Sequence, residues 1–429
     1  MRTEIELKDQ PVRARLYLTA LGLVEAEING AKVGNDALIP GWTNYEQRVE
    51  MWTYDVTENL SAGTNAMGFW LGDGWYRGRL GFDGGYANYY GDRIGVFAQL
   101  EVEYADGSTD AVYSNSWDRR WKTTLGPIVC SDLCEGERYD ARFEMPGWSK
   151  PGFDDSDWKP VAEVFYDPAR IENPDTSPVR AHERNQPASI ERIGSTDDGR
   201  GIWLVDFEQN CSQRIRLNMR GLEAGQSVTL RHVEVLEPDG TIATRTLRRG
   251  QQCDIYTSNG TDAWWEPRFA MHGFRYAQIE GYAGELTAED MDCRVYHSVM
   301  DRTGELTCSN SLLNRLHANA VWSMRSNFVS IPTDCPQRDE RMAGPATSAC
   351  SRRPPPTCTT YMASSKAGSK MCAPTKSNGA PCRSTCHSFR SACGHTLNPS
   401  PHGATPPWKC HGRSTWKAAI HKCSLTPMT

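Results

Sequence analysis

Two antiparallel β-sandwich or jelly-roll domains followed by a helical segment form the fold class this sequence predicts, and three observations predict it. The 429 residues exceed one ordinary domain, so two or three are expected. Short apolar/polar alternations recur through residues 12–113 and again through 202–280, punctuated by glycine, proline and asparagine turns. At Ser309-Asn310 the apolar period lengthens from that of a strand to that of a helix.

Taken in order, residues 12–21 alternate, residues 25–28 follow, and Asn29-Gly30 supplies the positive φ angles of a two-residue hairpin turn into 31–33. Further strands are expected at 52–56, 67–71, 99–104 and 111–113, with Ala105-Asp106-Gly107 as a hairpin tip. The glycine-rich loop 72–78, GDGWYRG, lacks the lysine of a phosphate loop. It reads as a structural corner rather than a sugar-facing loop. Residues 137–142 and 147–158 close a first domain at 10–166.

From 167 to 200 proline, asparagine and charge prevail without periodicity, which predicts a linker. A second sandwich is expected at 201–300, with 202–207 and 214–219 as paired strands, 227–236 turned back by Pro238-Asp239-Gly240, and a last alternation at 274–280. His232, Glu234, Trp265, His272 and Arg275 are groove candidates. No compact ligand spacing accompanies the histidines, so they read as satisfied core or surface groups rather than metal ligands. Leu313, Leu316, Ala320 and Met324 then fall at helical spacing after a Ser309 or Asn310 cap, predicting a helix of about 17 residues.

Composition narrows the function. A net charge of -6 and a pI near 6.0 disfavour a nucleic-acid surface. Fourteen tryptophans and sixteen tyrosines against 11 phenylalanines favour rings with a polar edge, which suit sugar stacking as well as sandwich cores. The sequence contains no apolar run long enough for a membrane span, and MRTEIELKDQ lacks the apolar core of a secretion signal. A cytoplasmic location and no membrane partner are the resulting expectations.

The chemistry concentrates in SIPTDCPQRDER, residues 330–341. Asp334 lies between Pro332 and Pro336, which hold the chain extended, and Arg338, Asp339, Glu340 and Arg341 follow within five residues. Carboxylates this dense repel unless arginine neutralises them or one stays protonated, and a carboxylic acid with a raised pKa is what general acid catalysis needs. The same density also fits a solvated charged turn.

Asn44-Tyr45 and Asp55-Val56-Thr57, then LGDGWYRG (71–78), Glu266-Pro267-Arg268-Phe269 with HGFRY (272–276), and PTDCPQRDER (332–341) appear in an order that closely resembles the bacterial α-L-rhamnosidases of glycoside hydrolase family 78. The resemblance covers residues 12–342. It implies a carbohydrate-binding-like N-terminal jelly roll, a second β-sandwich, an (α/α)6 barrel beginning at 301–342, and a C-terminal β-domain. It also implies inverting hydrolysis of terminal α-L-rhamnose from rhamnose-containing glycosides, with no metal or organic cofactor required. By the family's pattern Asp339 resembles the general acid, with Glu340 as second choice. Asp334 then holds sugar hydroxyls, and Arg338 orients the sugar or tunes the acid. Neighbouring carboxylates favour a protonated Asp339, and the arginines oppose that.

After Met342 the resemblance stops. The family continues glycine, tryptophan, threonine, glycine, aspartate, whereas this chain reads Ala343-Gly344-Pro345-Ala346-Thr347. Residues 343–429 contain no Asp, Glu or Val, yet eight of the 15 cysteines. The loss of one base after Met342 accounts for both features. Codons rebuilt from the last base of one present codon and the first two of the next permit GWTGDVGVFAPTAAYMYDV from 343. They permit VRADQIERGAVP across 371–383 and WGDAAVEVPW across 402–412. The expectation is therefore an aberrant, frameshifted and disordered tail at 343–429. The family's general base would lie outside this chain, and the polypeptide would be a truncated, inactive fragment of the enzyme. The competing expectation is a stand-alone carbohydrate-binding β-sandwich protein without catalysis.

Overall fold

In the computed structural model, residues 1–117 and 120–342 are described, with the backbone of 426–427. Thr426–Pro427 pairs antiparallel with Gly304–Glu305. The disorder expected across the rest of 343–429 lies outside the described residues.

Alternation builds the first unit. Along Arg13–Leu21 the side chains of Ala14, Leu16 and Leu18 point inward while Arg13 and Arg15 face solvent. The strand lies in a four-stranded antiparallel sheet with Gly95–Glu103, Thr109–Tyr113 and Trp52–Asp55. A six-stranded sheet centred on Arg2–Leu7, Gly63–Gly72 and Leu23–Ile28 faces it. Between them Leu16, Leu18, Ile28, Met67, Phe69, Leu100 and Trp121 form one buried core. Each such side chain contributes about 1.5–3 kcal/mol on burial. Asn29 at φ 53° and Gly30 at φ 83° make the expected hairpin turn.

The second unit is an eleven-stranded sheet around a separate core that includes Val205, Ile215, Leu230, Phe274 and Ile279. Its organising element is the strand Gly201–Met219. Residues 202–207 and 214–219, expected as two paired strands, are the two ends of this single strand. It pairs with His272–Tyr282 along most of its length, with Ser189–Ser195 beside its first half and Met291–Ser298 beside its second. Between Asp206 and Cys211 the register shifts, and Glu208 takes a φ of 58°. On either side of this bulge the strand has different neighbours, Ser189–Ser195 before it and Met291–Ser298 after it, and its polar residues are what the sequence presents as a break.

Residues 167–200, expected as a linker, carry Val179–Asn185 and Ser189–Ser195, which join that sheet. Their side chains are largely exposed, so alternation has nothing to bury and leaves no pattern. The first 166 residues also lend Asp36–Ala37, Ile128–Asp132 and Gly136–Asp140 to the second sheet. Gly136–Asp140 enters parallel to Cys253–Thr257.

A third core at the seam contains Trp42, Tyr45, Trp75, Tyr76, Phe269 and Ile331. The glycine-rich loop is a structural corner here: Gly74–Arg77 forms one helical turn, Trp75 and Tyr76 are buried, and Trp75 stacks on Trp42 at 6.4 Å. The helix Ser311–Asn327 follows, capped by Asn310, whose side chain accepts from the Leu312 and Leu313 N–H groups. None of its residues is buried. Among the described residues no helical hairpin accompanies it, so the start of an (α/α)6 barrel is not assembled in them.

Candidate active-site motif and cleft

The motif is fixed at both ends by the cores beneath it. Ser330, at φ 70°, receives the Trp42 N–H on its hydroxyl at 2.9 Å and donates its own N–H to Ser298 Oγ at 3.1 Å. The Thr333 N–H donates to the Asn327 carbonyl at 2.8 Å, and the Asp334 N–H reaches the Met342 carbonyl at 3.0 Å, closing 334–342 into a loop. Gly273 lets this loop approach, since a Cβ there would meet Pro336 Cγ at 2.9 Å.

Arg341 pins the loop from below. It is buried at φ 45°, and donates to the Met271 carbonyl at 2.7 Å and to Gln252 Oε1 at 3.4 Å. Burial lowers its pKa from the ordinary arginine value.

A cleft of about 280 Å³ opens between the loop, the end of the helix and the second sheet. Asp334 and Arg338 line it from the motif, Ser323, Ser326 and Asn327 from the helix, and Asn210 and Glu234 from the sheet. Asp334 is half-exposed, 3.9 Å from the Arg338 guanidinium. Arg338 donates from Nε to Cys335 Sγ at 3.0 Å, and burial pushes the Cys335 thiol up to about 12.

Asp339 and Glu340 are not part of that cleft. Asp339 is fully buried; its Oδ2 accepts from the Gly84 N–H at 2.8 Å and its Oδ1 has no hydrogen-bond partner. Glu340 is also buried, with Oε2 taking Arg248 at 3.2 Å, Arg338 at 3.4 Å and the Cys335 thiol at 3.3 Å. Its carbonyl accepts from the Gly81 N–H at 3.3 Å. The structure therefore brings Asp334 and Arg338 together in a cleft, turns the Asp339 carboxylate toward Gly84 of the first unit, and buries the Glu340 carboxylate against Arg248, Arg338 and Cys335.

Of the groove candidates, Glu234 reaches the cleft and Arg275 supports it through a two-pronged ion pair with Asp206, at 2.7 and 2.6 Å, at the base of the bulge. Trp265 lies in the core of the second unit. Asn210 escaped sequence reasoning, and an isolated polar residue between two strand patterns was its one signal.

His232 and His272 are core groups that meet Asp254, with candidate ligand atoms within 4.8 Å of one another. Their rings stack at 4.4 Å and 21°. His272 Nε2 is bonded to Asp254 Oδ1 at 2.9 Å, and the same oxygen accepts from the Glu137 N–H at 2.8 Å. Burial, with His272 adding to it, pushes His232 down to about 3.

Three family models match in succession: the α-L-rhamnosidase N-terminal domain at residues 9–183, the bacterial α-L-rhamnosidase concanavalin-like domain at 196–297, and the bacterial α-L-rhamnosidase 6 hairpin glycosidase domain at 301–346. An α-L-rhamnosidase from Streptomyces avermitilis is 43% identical over 345 residues, covering 80% of this chain and 32% of the relative. One from Formosa agariphila is 37% identical over 357 residues, covering 80% and 36%. The chain thus spans about a third of the length of these curated relatives. The crystal structure of the native enzyme from Aspergillus terreus superposes with a TM-score of 0.74 at 44% identity, over 80% of this chain and 39% of that one. The Streptomyces avermitilis enzyme complexed with L-rhamnose also gives 0.74, at 43% identity, over 80% and 32%. With three consecutive domain matches across residues 9–346 and relatives of this identity, the chain belongs to the bacterial α-L-rhamnosidases.

Proposed function

We propose that this sequence descends from an inverting α-L-rhamnosidase that removes terminal α-L-rhamnose from glycosides, and that the 429-residue polypeptide as written does not catalyse the reaction. The observation that carries the reading is the cleft, where Asp334 and Arg338 stand side by side as a carboxylate and a guanidinium able to share the hydroxyls of one sugar ring.

Inversion needs a protonated carboxyl at the glycosidic oxygen and a carboxylate about 6.5–9.5 Å away to activate water. Asp339 is our candidate for the acid and Glu340 the second candidate. Both assignments rest on the family motif. In this chain the Asp339 carboxyl group accepts from the Gly84 N–H and does not line the cleft where Asp334 would hold a sugar. Residues 343–429 contain no Asp or Glu from which a base could come.

Loss of one base after Met342 explains why the domain match ends at 346 and the acidic residues end with it. Restoring that base should yield protein that releases 4-nitrophenol from 4-nitrophenyl α-L-rhamnoside, while the 429-residue chain releases none. Hydrolysis by the purified 429-residue chain would overturn the inactivity, and a base-restored protein that binds rhamnose without cleaving it would overturn the enzyme lineage.

A further inference from the structure

We propose that the second β-unit, through Glu234 and Asn210 at the strand bulge, forms one wall of a binding site for a single small polyol of the monosaccharide class, and that this chain retains the site. The proposal rests on the reading of Asp334 and Arg338 as sugar-facing groups, and adds to it residues from a different structural unit.

Three observations converge. The cleft, at about 280 Å³, lies near the lower end of ligand cavities, about 300–1,000 Å³, which suits one ring and excludes an extended oligosaccharide. Its two walls carry complementary polar chemistry. Asp334 and Arg338 stand on the motif, and on the sheet Asn210 Nδ2 donates to Glu234 Oε1 at 2.8 Å. Glu234 makes no other hydrogen bond among the described residues, so its second oxygen remains available as an acceptor for a hydroxyl. At the helix end that bounds the cleft, Ser326 Oγ and Asn327 Oδ1 are buried without a hydrogen-bond partner. Uncompensated polar atoms cost stability, and a bound ligand's hydroxyls would satisfy such atoms after a small side-chain rotation.

The bulge is built rather than incidental. Asp206 Oδ1 accepts from the Glu208 N–H at 2.7 Å while Arg275 grips both carboxylate oxygens, so Asn210 is held where the strand bends. Among the described residues no aromatic ring lines the cleft. Recognition would therefore depend on the directions of the hydroxyls rather than on stacking, which favours a ligand defined by its stereochemistry.

Titration of the 429-residue chain with L-rhamnose, followed by saturation-transfer NMR and calorimetry, tests the proposal. Glu234→Gln and Asn210→Ala should each weaken binding about tenfold, the loss of one hydrogen bond to a charged or amide partner. Glu191→Ala, on an exposed strand outside the cleft, should leave binding unchanged. Far-UV circular dichroism confirms that each variant is folded, and Asn210→Ala carries the test alone if Glu234→Gln is not. Binding abolished by Asp334→Ala but untouched by both sheet variants would overturn the proposal while leaving the motif reading intact. Equal weakening by Glu191→Ala, or no binding by the unaltered chain, would also overturn it; the base-restored hydrolysis assay then judges the proposed function separately.

Discussion

Arg341 shows how much a single side chain can hold when it is buried beneath a functional loop. Its guanidinium satisfies the Met271 carbonyl and shares Gln252 Oε1 with the Gly273 N–H from inside the seam, so Arg341→Ala strands the Met271 carbonyl and loosens 334–342. Chemical denaturation should show a loss of about 2–3 kcal/mol, and an unchanged midpoint would contradict the assigned role. Glu137 sets a pH dependence of unusual sign. Burial pushes its carboxyl up to about 7, against two backbone N–H donors, Arg268 and Phe269, that favour the charged form. The folded protein therefore binds this proton more tightly than the unfolded chain does, where the value is about 4.3. Stability from Glu137 is present below about pH 4.3 and falls as pH rises to about 7, by on the order of 3 kcal/mol. His232, held near 3, works in the opposite sense and costs stability as pH falls below about 6.5. Glu137→Gln should therefore lose less stability than the parent between about pH 5 and about pH 8, read from urea midpoints; parallel curves would refute it. The sequence made the motif residues visible because they are contiguous. It hid their division between a cleft and a buried face, because the positive φ at Arg341 and the contacts of the 81–84 loop are tertiary facts. The cluster of His232, Asp254, His272 and Glu137 stayed hidden for the same reason: Glu137 and Asp254 are 117 residues apart.

Elements were legible in proportion to how locally their pattern is written. The helix Ser311–Asn327 matched its expected span because both its periodicity and its Asn310 cap lie within the segment. Asn310→Ala removes the acceptor for two N–H groups and should cost about 1 kcal/mol, seen as faster amide exchange in the first turn. The apolar face of this helix is a different matter, since Leu312 is 77% and Leu316 51% exposed. Leu312→Glu and Leu316→Glu should each change stability by less than about 0.5 kcal/mol in the 429-residue chain. A larger loss would mean that something covers the face. The strand Gly201–Met219 was read as two because its bulge interrupts the alternation, and Val179–Asn185 was read as linker because exposure removes the need for alternation. The causes differ: in Gly201–Met219 the polar bulge interrupts a strand whose two ends are buried in the core, whereas Val179–Asn185 is largely exposed and is held by its backbone pairing.

At the scale of the whole molecule, the two β-units share strands across the expected domain boundary, and this determines what can fold alone. The second sheet draws Ile128–Asp132 and Gly136–Asp140 from the first 166 residues and seats them beside Cys253–Thr257. Ala141, just after that strand, is part of the second core. Glu137 from the same strand accepts the Arg268 and Phe269 N–H groups, and Phe269 joins Trp42, Trp75 and Ile331 in the seam. A polypeptide of residues 201–300 alone would expose the free edge of Cys253–Thr257, leave the Arg268 and Phe269 N–H groups without acceptors and uncover Phe269. An open edge with apolar surface beside it favours aggregation over a defined fold. Residues 201–300 expressed alone should therefore give poorly dispersed amide NMR resonances or insoluble protein, whereas residues 1–342 should unfold in one cooperative transition. A well-dispersed, monomeric 201–300 would show that the shared strands are dispensable, and the two units would then have to be treated as independent domains.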